Sequence, residues 1–273
     1  MFTSRLLNRY FITGEVALKT PLHIGSGKGD VETDSAVVRY LNGNPYVPGS
    51  SFKGVLRSTI ERLAGALGYR TCCLDESSGS KCPTVDEEVQ KGYLEMQERG
   101  EREEKLLEFL DKHLCDTCKA FGSPFAGSKV FVDDLGLKPD VHLDKREIRD
   151  GVGIDRDTGT AKGRVKFDYE TVPADARFQM NIVAENATSQ DLSLLAIALC
   201  EMQREGNLRL GGITSRGLGW GQLVDVQVRK IDFNGPPAVV REALLGDWRT
   251  LPAEGGADFV KEHLKTKEAP KPC

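Results

Sequence analysis

What this chain lacks narrows its class before any motif is read. No apolar run among its 273 residues reaches the length of a membrane span. The opening stretch MFTSRLLNRYFITG has no apolar segment of signal-peptide type, so no secretory signal is expected, and a bacterial or archaeal cytoplasmic location is the default expectation. An excess of positive charge is missing too. The 37 Lys and Arg stand against 41 Asp and Glu for a net charge of −4, which weighs against bulk non-specific nucleic-acid binding but leaves room for a local basic groove. There is no GxxxxGK[S/T] phosphate loop. The one dense glycine run, GGITSRGLGWG at 211–221, lies after a helix pattern and before a strand pattern, the reverse of a dinucleotide fingerprint. No internal repeat is visible.

What is present is an ordinary globular composition, 39% hydrophobic, in a chain long enough for one large domain or two small ones. Apolar residues alternate from Tyr10 to Ile24, which predicts a strand, and Asp34–Tyr40 reads as a second, short one. In PGSSFKGVLRSTIERLAGALG the period changes: Phe52, Val55, Leu56, Ile60, Leu63 and Leu67 recur at three and four, predicting a helix that Ser50 or Ser51 caps and Gly68 ends. The charged stretch EEVQKGYLEMQERGEREEKLLEFLDKHLC predicts helix inside an insertion. Strands are expected at SKVFVDDL, ARFQMNIVAENA and QLVDVQVRKID, with a helix at SQDLSLLAIALCEMQREG capped by Ser189 and Gly206. The stretch RDGVGIDRDTGTAKGRVKFDYETVP, at 149–173, reads as a protruding hairpin or long loop with a turn at Asp157–Gly159. With insertions removed, the order is βαββαβ. The expected fold class is therefore α+β with a ferredoxin-like or RRM-like sheet, a type whose open face often receives single-stranded RNA. The expected organisation is a domain over 1–235, with an insertion at 70–120, followed by a helix and flexible tail over 236–273.

Five of the seven cysteines fall between residues 72 and 118. In a chain expected in the cytosol, such clustering points to a metal before a disulfide. Cys115 and Cys118 have the two-residue spacing that lets two thiolates meet one ion, and Cys73 and Cys82 supply a second pair. The expectation is a structural four-cysteine Zn2+ site of Cys73, Cys82, Cys115 and Cys118, stabilising an insertion with little core of its own. Cys72 is ambiguous because adjacent residues rarely ligate one ion, and His113 is a substitute ligand. The plainer alternative is a loop of free thiols. Cys200 reads as a core residue and Cys273 as a mobile end.

Two further constellations suit a phosphate backbone. A helix N-terminus attracts anions, and Lys53 and Arg57, four residues apart, share one face beside Ser50 and Ser51. The alternative is an ordinary amphipathic helix with solvated cations. The glycine run offers bare backbone to an approaching RNA chain, with Thr214, Ser215 and Arg216 as donors. The alternative there is a tight turn whose glycines serve backbone geometry alone, with Trp220 packed beneath it.

Taken together, these residues resemble the RAMP superfamily of CRISPR proteins. A glycine-rich loop before the final strand of a ferredoxin-like domain is similar to the signature of that superfamily. LHIGSGKGDVETDSAVVRYLNGNPYVPGSSFKGVLRS resembles the N-terminal segment of type III backbone subunits, which polymerise along guide RNA in Csm- and Cmr-type complexes. CDTCKAFGSPFAGSKVFVDD and GVGIDRDTGTAKGRVKFDYETVPADARF resemble the same family, so the likeness runs from about residue 10 to 232. The cysteine-bearing insertion exceeds a minimal backbone subunit and resembles the zinc-containing versions of some type III variants.

The resemblance implies roles. Asp34, in ETDSAVV, matches the aspartate that cleaves target RNA, either by holding a divalent ion such as Mg2+ or by orienting the 2′-hydroxyl, with Asp30 and Glu32 near enough to share the metal. The plainer alternative has Asp34 capping a strand or turn. The hairpin at 151–170 matches the family's thumb, which wedges between guide and target. His23, Ser50, Ser51, Lys53, Arg57, Gly211, Gly212, Thr214, Ser215, Arg216 and Gly217 are then expected to hold guide-RNA backbone. Implied partners are guide RNA, complementary target RNA, other effector subunits and further copies of the chain, with no membrane. Three alternatives stay open: a spine without chemistry, a guide-processing endoribonuclease in which His23 is the one plausible histidine, and a zinc-stabilised protein-interaction module.

Overall fold

The first strand shows how the sheet is built. In β1 (Asn8–Leu18) the residues Tyr10, Ile12, Val16 and Leu18 fall on one face and are buried, as the period of two requires. The structure is a computed structural model and describes residues 5–29, 33–139 and 147–265. Asp30, Glu32, Cys273 and the Lys/Pro-rich end lie outside those residues.

The expected strand at 34–40 is replaced by isolated bridges, Gly25 to Val37, Ser35 to Tyr169 and Arg39 to Pro45. After the short β2 (Tyr46–Val47) comes α1 (Gly49–Ala64). Neither serine caps α1. Pro48 occupies the cap position, and the Gly49 N–H donates instead to Asp134 Oδ1 at 2.7 Å, a partner 85 residues away. A short 3-10 turn extends the helix to Leu67, and Gly68 closes it in the left-handed region. The charged stretch expected as helix forms two, α2 (Glu87–Glu98) and α3 (Glu103–His113), broken around Gly100. The short α4 (Asp116–Phe121) follows, then β3 (Val130–Val132) and β4 (Leu135–Gly136).

The expected hairpin is β5 (Glu147–Ile154) with β6 (Ala161–Thr171), closed where Asp155 donates its N–H to the Thr160 carbonyl. Then come β7 (Arg177–Glu185) and α5 (Ser189–Met202). The cap of α5 is Thr188, one residue before the expected Ser189, in a reciprocal capping box with Asp191. Gly206 lies beyond the helix, which ends at Gln203. The short β8 (Leu208–Arg209) precedes β9 (Trp220–Asp232). The last segment holds α6 (Pro237–Leu245), β10 (Glu254–Gly255) and α7 (Gly256–His263), more than the single helix expected there.

The result is an α+β fold. Its main sheet runs β10-β9-β1-β7-β3, every pair antiparallel, with β8 also on β9. Phe178, Met180 and Ile182 of β7, Leu223 and Val228 of β9, and the buried β1 residues form one core with Phe52, Leu56 and Ile60 of α1 and Leu194, Leu195 and Leu199 of α5. Phe259 of α7 is fully buried in the same core. The cysteine insertion has a second, smaller core around Tyr93, Leu110 and Leu114. Among the described residues no helix is long and apolar enough to cross a membrane.

Candidate functional site

Asp34 is exposed, in the loop between β1 and α1, against the base of the hairpin. Its backbone N–H donates to Asp168 Oδ1 at 2.7 Å, and the Asp168 N–H donates back to Asp34 Oδ2 at 3.1 Å. The next residues continue the seam. Ser35 bridges Tyr169, and the Glu170 N–H donates to the Ser35 carbonyl at 3.0 Å. Glu170 is completely buried, so its carboxylate needs partners. Oε2 accepts the Val37 N–H at 2.9 Å and Oε1 accepts Arg39 Nη2 at 2.5 Å.

His23 joins this seam to the glycine run. Its Nδ1 lies 2.7 Å from the Glu170 carbonyl, its Nε2 lies 3.3 Å from Ser35 Oγ, and its ring meets Tyr169 edge-on. Its carbonyl accepts the Gly212 N–H at 2.9 Å. Both ring nitrogens of His23 are therefore engaged within the chain. The glycines are explained in part by these contacts. Gly211 has φ +73°, and a Cβ there would lie 2.2 Å from the His23 carbonyl oxygen; Gly219, at φ +68°, would place a Cβ 1.8 Å from that of Leu210. The close approach at these two positions is chain against chain. Trp220 lies under the loop as expected, its indole N–H donating to the Thr214 carbonyl at 3.2 Å, with Arg209 stacked over its ring. Gly212, Ser215, Arg216 and Gly217 are left exposed on the outer side.

The cations of α1 point elsewhere than expected. Lys53 Nζ donates to Ser128 Oγ at 2.7 Å and to the Val130 carbonyl at 2.8 Å. Burial, and then the neighbouring charge of Arg57, lower its pKa. Arg57 holds Glu61 at 2.8 Å through Nε, the Gly122 carbonyl at 3.1 Å through Nη1 and Cys118 Sγ at 3.2 Å through Nη2. Burial works against its charge, but the Glu61 hydrogen bond and the nearby Cys118 and Glu61 charges outweigh that and push its pKa up. A free basic face at Lys53 and Arg57 is thus corrected: both side chains fasten α1 to residues 118–130. Ser50 stays exposed at the helix start and Ser51 half-buried.

The cysteine centre is Cys72, Cys82, Cys115 and Cys118, all buried, with their Sγ atoms within 4.8 Å of one another. Cys72 stands where Cys73 was expected. Cys73 is exposed, and both it and Leu74 have φ +51°, a tight turn that sends the two adjacent thiols apart. His113 stacks on Phe109 and is not in the group. Four sulfurs at about 2.3 Å from a tetrahedral ion lie about 3.8 Å apart. The Cys72–Cys118 sulfurs are 3.6 Å apart, so this donor set fits a metal ion. Hydrogen bonds from Cys115, then Cys72, lower the pKa of the Cys118 thiol, which favours the thiolate form a metal ion binds.

Sequence reasoning missed Asp168, Glu170 and Arg39. All three act through residues far away in sequence. The one available signal was the carboxylate pair D-Y-E at the end of a hairpin strand that otherwise reads as ordinary alternation.

The family model of the RAMP superfamily matches residues 15–223. The chain is 27% identical over 235 residues to the CRISPR system Cms endoribonuclease Csm3 of Methanocaldococcus jannaschii, covering 82% of this chain and 82% of that protein. It is 43% identical over 61 residues to the protein of the same name from Methanothermobacter thermautotrophicus, covering 21% of this chain and 25% of the relative.

Proposed function

The chain belongs to the RAMP superfamily, and from that membership we propose that it is a backbone subunit of a type III CRISPR effector complex, which binds guide RNA and cleaves complementary target RNA. The order β9-β1-β7-β3, with α1 and α5 packed into the same core, supports a ferredoxin-like reading of the sheet. Residues 1–235 then form the RAMP domain, 70–120 its metal-bearing insertion and 151–170 its thumb. The cytoplasm is the proposed location.

The observation that carries the reading is the Asp34 carboxylate: exposed, at the foot of the thumb, with Oδ2 tied to the Asp168 N–H and Oδ1 accepting nothing from the described residues. In RNA cleavage the 2′-oxygen loses its proton and bonds to the adjacent phosphorus. The bond to the 5′-oxygen breaks, and that oxygen takes up a proton. Asp34 is proposed to act at the 2′-hydroxyl end of this line, where its open oxygen orients the nucleophile. A divalent ion such as Mg2+, held through the same oxygen, would supply charge neutralisation at the phosphate. Guide backbone is proposed to lie along Gly212, Thr214, Ser215, Arg216 and Gly217, with Ser50 and Ser51 at the start of α1; Gly211 and His23 support that loop from beneath. Such contacts ignore sequence, as a spine for any guide requires. Further copies of the chain and other effector subunits complete the assembly. The cysteine group is proposed to hold a structural Zn2+, since four thiolates leave no open position for chemistry.

The test is Asp34→Ala in the assembled complex, given complementary RNA and Mg2+. The wild type is expected to give a ladder of evenly spaced products. The variant is expected to assemble, to bind target and to leave it intact; unchanged cleavage would refute the assignment and favour a spine without chemistry.

A further inference from the structure

We infer that Asp168 is a positioning residue for Asp34, and that through it the base of the β5–β6 hairpin sets the direction of the cleaving carboxylate. The inference rests on the proposed role of Asp34. It begins from the reciprocity of the contact. A single hydrogen bond leaves a loop residue free to pivot. Here the Asp34 N–H is fixed to Asp168 Oδ1 at 2.7 Å and Asp34 Oδ2 to the Asp168 N–H at 3.1 Å, so the backbone and side chain of one residue are both tied to the other.

The anchor is itself held. Tyr169 bridges Ser35, Glu170 donates its N–H to the Ser35 carbonyl, and the buried Glu170 carboxylate accepts Val37 N–H and Arg39. Three consecutive residues of β6 thus fix four of the loop. The outcome at Asp34 is selective: Oδ2 is occupied, while Oδ1 accepts nothing from the described residues. The same strand runs on into the hairpin, so one continuous element links the proposed wedge to the carboxylate. A displacement of about 1 Å at a reacting group can cost about 100-fold in rate.

The geometry specifies what Asp168 must supply. Its side chain accepts a hydrogen bond from a neutral amide. What this contact asks of Asp168 is an acceptor oxygen at that place. Asparagine keeps such an oxygen; alanine does not. A residue that shared a metal ion with Asp34 would have the opposite requirement, because an amide oxygen replaces a carboxylate poorly as a ligand of a hard cation.

The experiment is single-turnover cleavage by the assembled complex at saturating target, with target affinity measured alongside. Asp168→Ala is expected to lower the cleavage rate constant about 10–100-fold while target affinity stays at the wild-type value. Asp168→Asn is expected to stay within about threefold of wild type. An Asn variant as slow as the Ala variant overturns the positioning role, since charge would then be what matters. An Ala variant as fast as wild type overturns it too. Asp34→Ala runs in parallel: if it still cleaves, the Asp34 reading itself fails, whereas a dead Asp34→Ala with a fast Asp168→Ala removes only the role of Asp168. If Asp168→Ala does not assemble, Asp168→Asn and Asp168→Glu carry the test. The longer side chain displaces the acceptor and is expected to slow cleavage where Asn does not, and equal rates for the two overturn the inference.

Discussion

Arg57 Nη2 lies 3.2 Å from Cys118 Sγ, and the same guanidinium grips Glu61 and the Gly122 carbonyl. Four thiolates around a divalent ion carry a net charge of −2, and a cation donating to one sulfur offsets part of it. Such outer contacts commonly change metal affinity by about 10–100-fold. Arg57→Gln is therefore expected to weaken metal binding by about that factor, with Arg57→Lys between it and wild type because the charge survives without the fork. Competition against a chromogenic chelator reads the affinity directly. Equal affinity in all three proteins would leave Arg57 as a packing residue only.

The choice between adjacent cysteines gives a second prediction. Cys72 is buried among the other three sulfurs and Cys73 is exposed. Cys72→Ser is expected to lose the metal and, with it, the fold of the insertion, whose core is small. Cys73→Ser is expected to retain a full equivalent. Metal content after dialysis separates them, and a Cys73→Ser protein that loses its metal would contradict the grouping.

Exposed and engaged cations should differ in how salt affects guide binding. Arg216 is exposed on the glycine loop, while Lys53 is bound to Ser128 and Val130. Arg216→Ala is expected to weaken guide binding and to reduce the slope of log affinity against log salt by about one. Lys53→Met is expected to leave that slope alone and to lower stability by about 2 kcal/mol, since two acceptors lose a charged donor. Binding isotherms at several salt concentrations, with a urea melt of each variant, test both. A slope change in Lys53→Met would return it to the RNA surface.

How much of this was legible beforehand follows the range of the interactions. The helix period of α1 and α5 and the alternation of β1, β7 and β9 are local, and they marked out those two helices and three strands. What failed was decided at a distance. Ser50 and Ser51 looked like caps, but Asp134 takes the first N–H of α1. Lys53 and Arg57 lie four apart on one helix as predicted, but apart from Glu61 on the same helix their partners arrive from residues 118–130. Cys72 and Cys73 differ by a backbone turn that no spacing rule contains. Asp34 was singled out through family likeness, whereas its partner Asp168, 134 residues on, had no signal of that kind.

The glycine loop makes the last prediction, because its glycines serve different ends. A Cβ at Gly219 would lie 1.8 Å from the Leu210 carbonyl oxygen, and one at Gly211 would lie 2.2 Å from that of His23. Neither oxygen can yield without breaking the contacts that seat the loop: Leu210 N–H to the Gly219 carbonyl, and Gly212 N–H to the His23 carbonyl. At Gly217 a Cβ would meet nothing within 4 Å, and only its φ of +91° penalises a side chain. Gly217→Ala should then cost about 1–2 kcal/mol, a fall in Tm of about 2–8 °C, with the loop still seated. Gly211→Ala and Gly219→Ala should each cost clearly more, because steric overlap with backbone is added to the same torsional penalty. They should also move His23, and with it Ser35 and the Asp34 seam, so their cleavage should fall even at temperatures where they remain folded. Thermal melts and cleavage rates measured on the three variants side by side test this. A Gly217→Ala protein less stable than Gly219→Ala would mean that the loop is held by something other than its contacts with His23 and Leu210.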